Sequence, residues 1–156
     1  MTTETAKSVQ HLHSITNNDE WGTHPDTYYQ GIYFAKFSPT LDVCATDENS
    51  QLDNFFTKKE NGLIQNWNED FWMNPPYSEI TQWMDKAYES WKKNNVNGLI
   101  LVYSKTDTKW WHKYVEGIAE VHFIKGRVRF MTPDGEQAKN SAPYPSCFII
   151  YRRKEN

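Results

Sequence analysis

Two adjacent prolines constrain this chain more than any other feature. Pro75 and Pro76 follow an apolar run, Phe71-Trp72-Met73, and one polar residue, Asn74; Tyr77 comes next. Proline lacks the N–H that a sheet ladder needs and fixes its own φ, so a strand over residues 70–73 has to end at Asn74 and turn into a loop. Asn74 then stands at the carboxyl end of a strand, with a rigid dipeptide behind it and an aromatic ring beyond. In open α/β sheets ligands bind at that end.

The remaining pattern supplies such a sheet. Leu41-Asp42-Val43-Cys44-Ala45 reads as a short buried strand reaching a turn at residues 46–49, and Gly62-Leu63-Ile64-Gln65 as a weak strand. A helix is expected over residues 26–37, opened by Pro25 and weakened by Gly31. A second covers residues 79–92, where Ile80, Trp83, Met84, Ala87, Tyr88 and Trp91 recur at spacings of three and four, with Ser78 as its cap. A third covers residues 109–117. Leu99 to Tyr103 is an apolar run of the kind buried in a parallel sheet. Residues 120–125 and 127–131 alternate as strands, 132–144 form a polar loop, and 146–152 are the last strand. This order predicts an α/β fold with a mainly parallel sheet and antiparallel edge strands at its end.

A chain of 156 residues favours one core. Residues 1–18 are polar and expected to be flexible, leaving 19–156 as a single domain. No apolar run is long enough to span a bilayer, and the first ten residues lack the apolar stretch of a secretory signal, so a cytoplasmic protein is expected. Cys44 and Cys147 are read as small buried thiols, and no Cys/His spacing suggests a metal site. The seven Trp, nine Tyr and eight Phe can fill a core or stack on bases. The net charge is −3, unevenly spread: residues 1–97 hold 7 basic and 14 acidic side chains, residues 98–156 hold 10 and 6. The basic rear half either gathers phosphate contacts or reflects ordinary scatter.

Asn-Pro-Pro-Tyr at a strand end suits methylation of an exocyclic amine. The lone pair of adenine N6 is delocalised into the ring, which makes it a poor nucleophile. The Asn74 side-chain carbonyl and the Pro75 backbone carbonyl can each accept one N6–H and stabilise the positive charge that develops as N6 attacks a sulfonium methyl. Pro76 helps hold the acceptors still, and Tyr77 can stack on a base swung out of the duplex. A plain proline turn after a strand is the alternative.

With these residues in view, the chain resembles the phage-type DNA N-6-adenine methyltransferase family, a Dam-like group with a Rossmann-like methyltransferase fold, from about Asn18 to Tyr151. Trp21-Gly22-Thr23-His24-Pro25 resembles its opening element, although His24 separates Thr23 from Pro25; the resemblance lays Thr23 over the methionine end of S-adenosyl-L-methionine. Leu41 to Thr46, with Asn49 following, resembles the cofactor strand and turn, which implies cofactor contacts from Asp42, Ala45 and Asn49, with Asp47 and Glu48 as weaker candidates for the ribose. No glycine lies between Gly31 and Gly62, where general methyltransferases carry a glycine-rich turn. Gly62 to Trp67 matches the stretch before the catalytic loop and implies Asn66 as a contact to the cofactor adenine. Residues 104–112 and 123–130 also resemble the family. They supply Lys105, Lys109, Arg127 and Arg129 as phosphate contacts to double-stranded DNA, Arg127 having a structural ion pair as its alternative; His112 is taken as non-catalytic. The resemblance implies adenine-N6 methylation of DNA. Methylation of RNA or a protein glutamine, and a non-catalytic DNA-binding relic, are the other readings.

Overall fold

A computed structural model describes residues 22–132, 134 and 136–155. Five strands form one sheet in the order β1-β2-β3-β5-β4. They are β1 (Leu41–Asp42), β2 (Phe71–Met73), β3 (Gly98–Tyr103), β4 (Glu120–Phe123) and β5 (Ser146–Tyr151). β1, β2 and β3 are parallel, and β5 is antiparallel to both β3 and β4. β4 therefore points the same way as the first three strands. The expected antiparallel pair at the chain's end exists, but the last strand is not at the edge. All six residues of β5 pair with β3, and β4 is left outside. Burial explains the order: every residue of β5 is buried, whereas β4 is exposed at Glu120 and Phe123.

Side chains of successive strand residues point to opposite faces, and β3 shows how the core divides. Leu99 and Leu101 join Trp72, Phe148 and Ile150 under helix α1 (Pro25–Ala35). Ile100 and Val102 join Phe71, Met73, Ile149 and Tyr151 under α2 (Ile80–Asn94) and α3 (Lys109–Tyr114). The result is three layers. Gly31 weakens α1 by propensity but lets it lie on the sheet, because a Cβ there would come 2.8 Å from a Phe148 ring carbon. Pro25 begins this helix at N1, after His24 caps it by accepting the Asp26 N–H.

Three local expectations differ. Residues 62–64 form a 3-10 turn, not a strand, because the Asn61 side chain accepts the Leu63 N–H and caps it. Residues 127–131 alternate in burial as anticipated, with Val128 and Phe130 inside, yet they lie outside the five-stranded sheet; their backbone bonds run to Ala138 and Ala142 nearby in sequence and to Gly22 far from it. Alternation reports one buried face and says nothing of a ladder. The N-cap position of α2 falls on Glu79 and not on Ser78, since a 3-10 turn over Tyr77–Glu79 runs into that helix. The expected flexible segment 1–18 lies outside the described residues. Cys147 is buried while Cys44 is half-buried, and they form no disulfide. Among the described residues, no helix is long and apolar enough to cross a membrane.

Most of the aromatic content fills the core. Trp67, Trp72, Trp83, Trp110 and Trp111 are buried. Trp67, which sequence left between stacking and packing, is fully inside and donates its indole N–H to the Gly62 carbonyl at 2.9 Å.

Candidate active site

Because β1 to β4 share one direction, their carboxyl ends form one rim. Asp42 ends β1, Asn74 follows β2, Ser104 and Lys105 follow β3, and Ile124 to Arg127 follow β4. The rim has two parts: a cavity by β1 and β2, and a cluster of basic residues by β3 and β4.

The cavity begins with the loop after β1. Asp42 is only 1% exposed, and its two carboxylate oxygens accept the N–H groups of Cys44 and Gln51 at 3.3 and 3.1 Å. These bonds fold residues 43–51 back over the strand end. Burial pushes the Asp42 carboxyl up to about 7, against the pull of the N–H donors of Gln51 and Cys44 and the Ser50 hydroxyl. Within the loop, the Thr46 N–H donates to Asn49 Oδ1 at 2.7 Å and the Asn49 N–H donates to Thr46 Oγ1 at 3.2 Å, a reciprocal clasp that fixes the turn.

No glycine lies in this loop, yet backbone approaches it closely from another segment. A Cβ on Gly62 would overlap the Val43 carbonyl oxygen and come 3.0 Å from the Trp83 ring. The backbone at Gly62 thus packs on the residue after β1 where no side chain fits. Gly22 does the same for the opening segment, where a Cβ would lie 2.6 Å from that of Asn49.

These pieces enclose a cavity of about 740 Å³ lined by Thr23, Asp42, Ala45 and Asn49 on one side and by Asn61, Gly62, Trp83, Asn74 and Pro76 on the others. Small-molecule sites range from about 300 to 1,000 Å³. Four of the five residues expected at the cofactor are brought together here, with Asp47 and Glu48 also on the wall. Asn66 is not. It is exposed, accepts a hydrogen bond from Asn94 at 3.1 Å, and sits by the amino ends of β2 and β3. The 3-10 turn explains the error: it reverses the chain, so Asn61 faces the cavity and Asn66 has already passed it.

Asn74 and Pro76 face the cavity, and Pro75 is buried between them in sequence. The Asn74 amide donates through Nδ2 to the Thr23 hydroxyl at 2.9 Å. The Pro76 carbonyl accepts the Glu79 N–H at 3.2 Å, starting the turn into α2. Tyr77 is half-buried outside the cavity wall. Its hydroxyl donates to the Tyr103 carbonyl at 3.1 Å, its ring packs 4.5 Å from that of Tyr103, and burial raises its hydroxyl well above the usual range.

The expected phosphate contacts do not touch the cavity. Lys105 holds its ammonium 3.2 Å above the Tyr144 ring, and Arg127 donates to the Pro143 carbonyl at 2.8 Å. The Pro145 carbonyl accepts the Ser104 N–H at 2.8 Å, so residues 143–145 draw Lys105 and Arg127 together. Arg129 and Lys109 are exposed, Lys109 at the start of α3. Arg127 thus holds a loop, by a backbone carbonyl and not by the carboxylate considered above. Sequence reasoning missed Gln51, which joins Asp42 to the Thr23 carbonyl by a 2.6 Å side-chain bond and carries no motif. It also missed Asn61-Gly62 as cavity wall, although a first glycine after thirty residues without one was a usable signal.

A rigid polar loop facing a ligand-sized cleft beyond parallel strands defines an α/β enzyme that works on a bound small molecule. The chain belongs to the DNA N-6-adenine-methyltransferase (Dam) family, whose model matches residues 11–156. It is 24% identical over 141 residues to the DNA N-6-adenine-methyltransferase of Haemophilus phage HP1 (strain HP1c1), covering 89% of this chain and 82% of that protein. To the DNA N-6-adenine-methyltransferase of Escherichia phage T1 it is 31% identical over 111 residues, 69% of this chain but 45% of that protein.

Proposed function

We propose that the cavity binds S-adenosyl-L-methionine and that the loop 74–77 presents to it an adenine from double-stranded DNA. The working unit is a Rossmann-like methyltransferase domain over residues 19–156. The family fixes the reaction itself, methyl transfer to adenine N6 in DNA. One observation carries the assignment of roles: Asn74 and the loop after β1 open onto the same cavity.

The residues present fit such a cofactor. The cavity has the right size range, its wall mixes polar and apolar groups, and at Gly62 that wall carries no side chain. When bound, the cofactor supplies an electrophilic methyl on a sulfonium. Thr23, Asp42, Ala45 and Asn49 form the wall that holds it, Asp42 chiefly by shaping residues 43–51.

The chain's own groups then prepare the amine. The Asn74 side-chain carbonyl and the Pro75 carbonyl each accept one N6–H, which draws the nitrogen toward tetrahedral geometry and frees its lone pair. The same two dipoles stabilise the positive charge that grows on N6, and being fixed beforehand they need no reorganisation. Tyr77, held by Tyr103, offers its ring to the extruded base. Lys105, Lys109, Arg127 and Arg129 lie beyond β3 and β4, where they reach phosphates and set the duplex over the rim.

The test is Asn74→Ala. Tritiated-methyl transfer to unmethylated DNA should be abolished, while cofactor affinity by calorimetry stays within a few fold. Unchanged turnover would remove Asn74 from the chemistry.

A further inference from the structure

We infer that Thr23 is a positioning residue for Asn74: its hydroxyl anchors the Asn74 amide in the orientation in which it meets the substrate amine. This rests on the reading of Asn74 as a catalytic acceptor. It gives Thr23 a second duty beside its place in the cavity wall.

An asparagine amide has a carbonyl at one end and an NH2 at the other, and the two ends are nearly equal in size. Only the carbonyl can accept an N6–H. Turned over, the amide would set two donors against the donors of the amine, and the transition state would lose its acceptor. The carbonyl end meets the amine only if the far end of the amide is anchored. The Thr23 hydroxyl oxygen accepts from Asn74 Nδ2 at 2.9 Å, across 51 residues of sequence. With its nitrogen committed there, the amide turns its oxygen away from Thr23.

Thr23 is itself braced to hold that orientation. It is 4% exposed. Its carbonyl accepts from Gln51 Nε2 at 2.6 Å, and Gln51 is in turn tied through its backbone N–H to Asp42. The residue before it, Gly22, exchanges two backbone hydrogen bonds with Met131, at 2.9 and 2.8 Å, and packs directly on Asn49. The loop after β1 and the segment after β4 are thereby both fastened to the peptide that carries Thr23. A side chain whose sole duty was to touch a ligand at the mouth would not need this depth or these braces.

Thr23→Val removes the hydroxyl and keeps the shape. We expect kcat to fall by about tenfold or more, the scale of losing one hydrogen bond that holds an orientation, and by a larger factor than cofactor affinity read by calorimetry. Thr23→Ser keeps the hydroxyl and should restore kcat. A Thr23→Val protein with normal kcat, or with normal kcat and weakened cofactor binding, overturns the inference. So does a Thr23→Ser protein as slow as Thr23→Val, which would assign the effect to packing. Should Thr23→Val fail to fold, as read by circular dichroism, Thr23→Ala carries the same expectations against Thr23→Ser. If Asn74→Ala keeps full turnover, the reading of Asn74 fails and this inference with it. If Asn74→Ala is dead while Thr23→Val is normal, only this inference fails.

Discussion

Replacing Gly62 by alanine tests the claim that backbone closeness at the cavity comes from this residue. The new Cβ would overlap the Val43 carbonyl oxygen and press on two Trp83 ring carbons at 3.0 and 3.1 Å. A backbone carbonyl at a strand end cannot rotate away as a side chain can, so one of the two segments must move. Overpacking of this kind costs about 1–3 kcal/mol. The Trp67 indole bond to the Gly62 carbonyl is put at risk too, adding about 1 kcal/mol. A loss of roughly 3 kcal/mol should lower Tm by about 6–12 °C in a chain of this size. Val43, Gly62 and Trp83 all line the cavity, so its wall shifts as well, and affinity for S-adenosyl-L-methionine should fall at least about tenfold. The control is Gly98→Ala, whose Cβ meets the Phe71 ring in the core at the far end of the strands. It should lower Tm and leave cofactor affinity alone. Calorimetry of both variants decides. If Gly62→Ala binds cofactor as the wild type does, or melts within 2 °C of it, the account of the cavity wall is wrong.

Asp42 gives a pH signature. Its carboxyl rises to about 7 in the fold from an ordinary value of 3.8, so between those values the folded state keeps a proton that the unfolded chain has lost. The contribution is full below about pH 4 and declines as pH rises through about 7, by on the order of 4 kcal/mol in all. Asp42→Asn should be less stable at pH 5, because its NH2 faces an N–H donor, and should lose less on going to pH 7.5; urea midpoints with equal pH slopes for both proteins would refute this. Tyr77→Ala should raise KM for DNA more than Tyr77→Phe, which loses only the bond to the Tyr103 carbonyl, and equal effects argue against stacking. Arg129→Gln should reduce the slope of DNA affinity against salt by about 1 with unchanged Tm. Arg127→Gln should reduce both slope and Tm, since Arg127 also holds Pro143, and a normal Tm would deny it that second duty.

The sequence by itself determined the parts that depend on neighbours along the chain. Proline geometry placed Asn74 at a strand end, and the period of α2, the apolar run of β3 and the turn after β1 were all readable locally. Asp42, Ala45 and Asn49, which the family resemblance picked from one short segment, line one cavity. What failed were inferences about partners. The alternation of residues 127–131 was real, but whether that segment joined a sheet depended on β5 taking the place between β3 and β4. Asn66 was assigned from the resemblance of residues 62–67 to a family segment, and one capped turn carried it to the other end of the strands.

The tertiary structure alone decided how Asn74 is held, through Thr23, and how the backbone of Gly62 packs on Val43 after β1. Both depend on contacts between segments far apart in the chain. A hydrogen bond or a close backbone approach of that kind leaves no period or spacing in sequence; it exists only once the sheet has set its strands side by side.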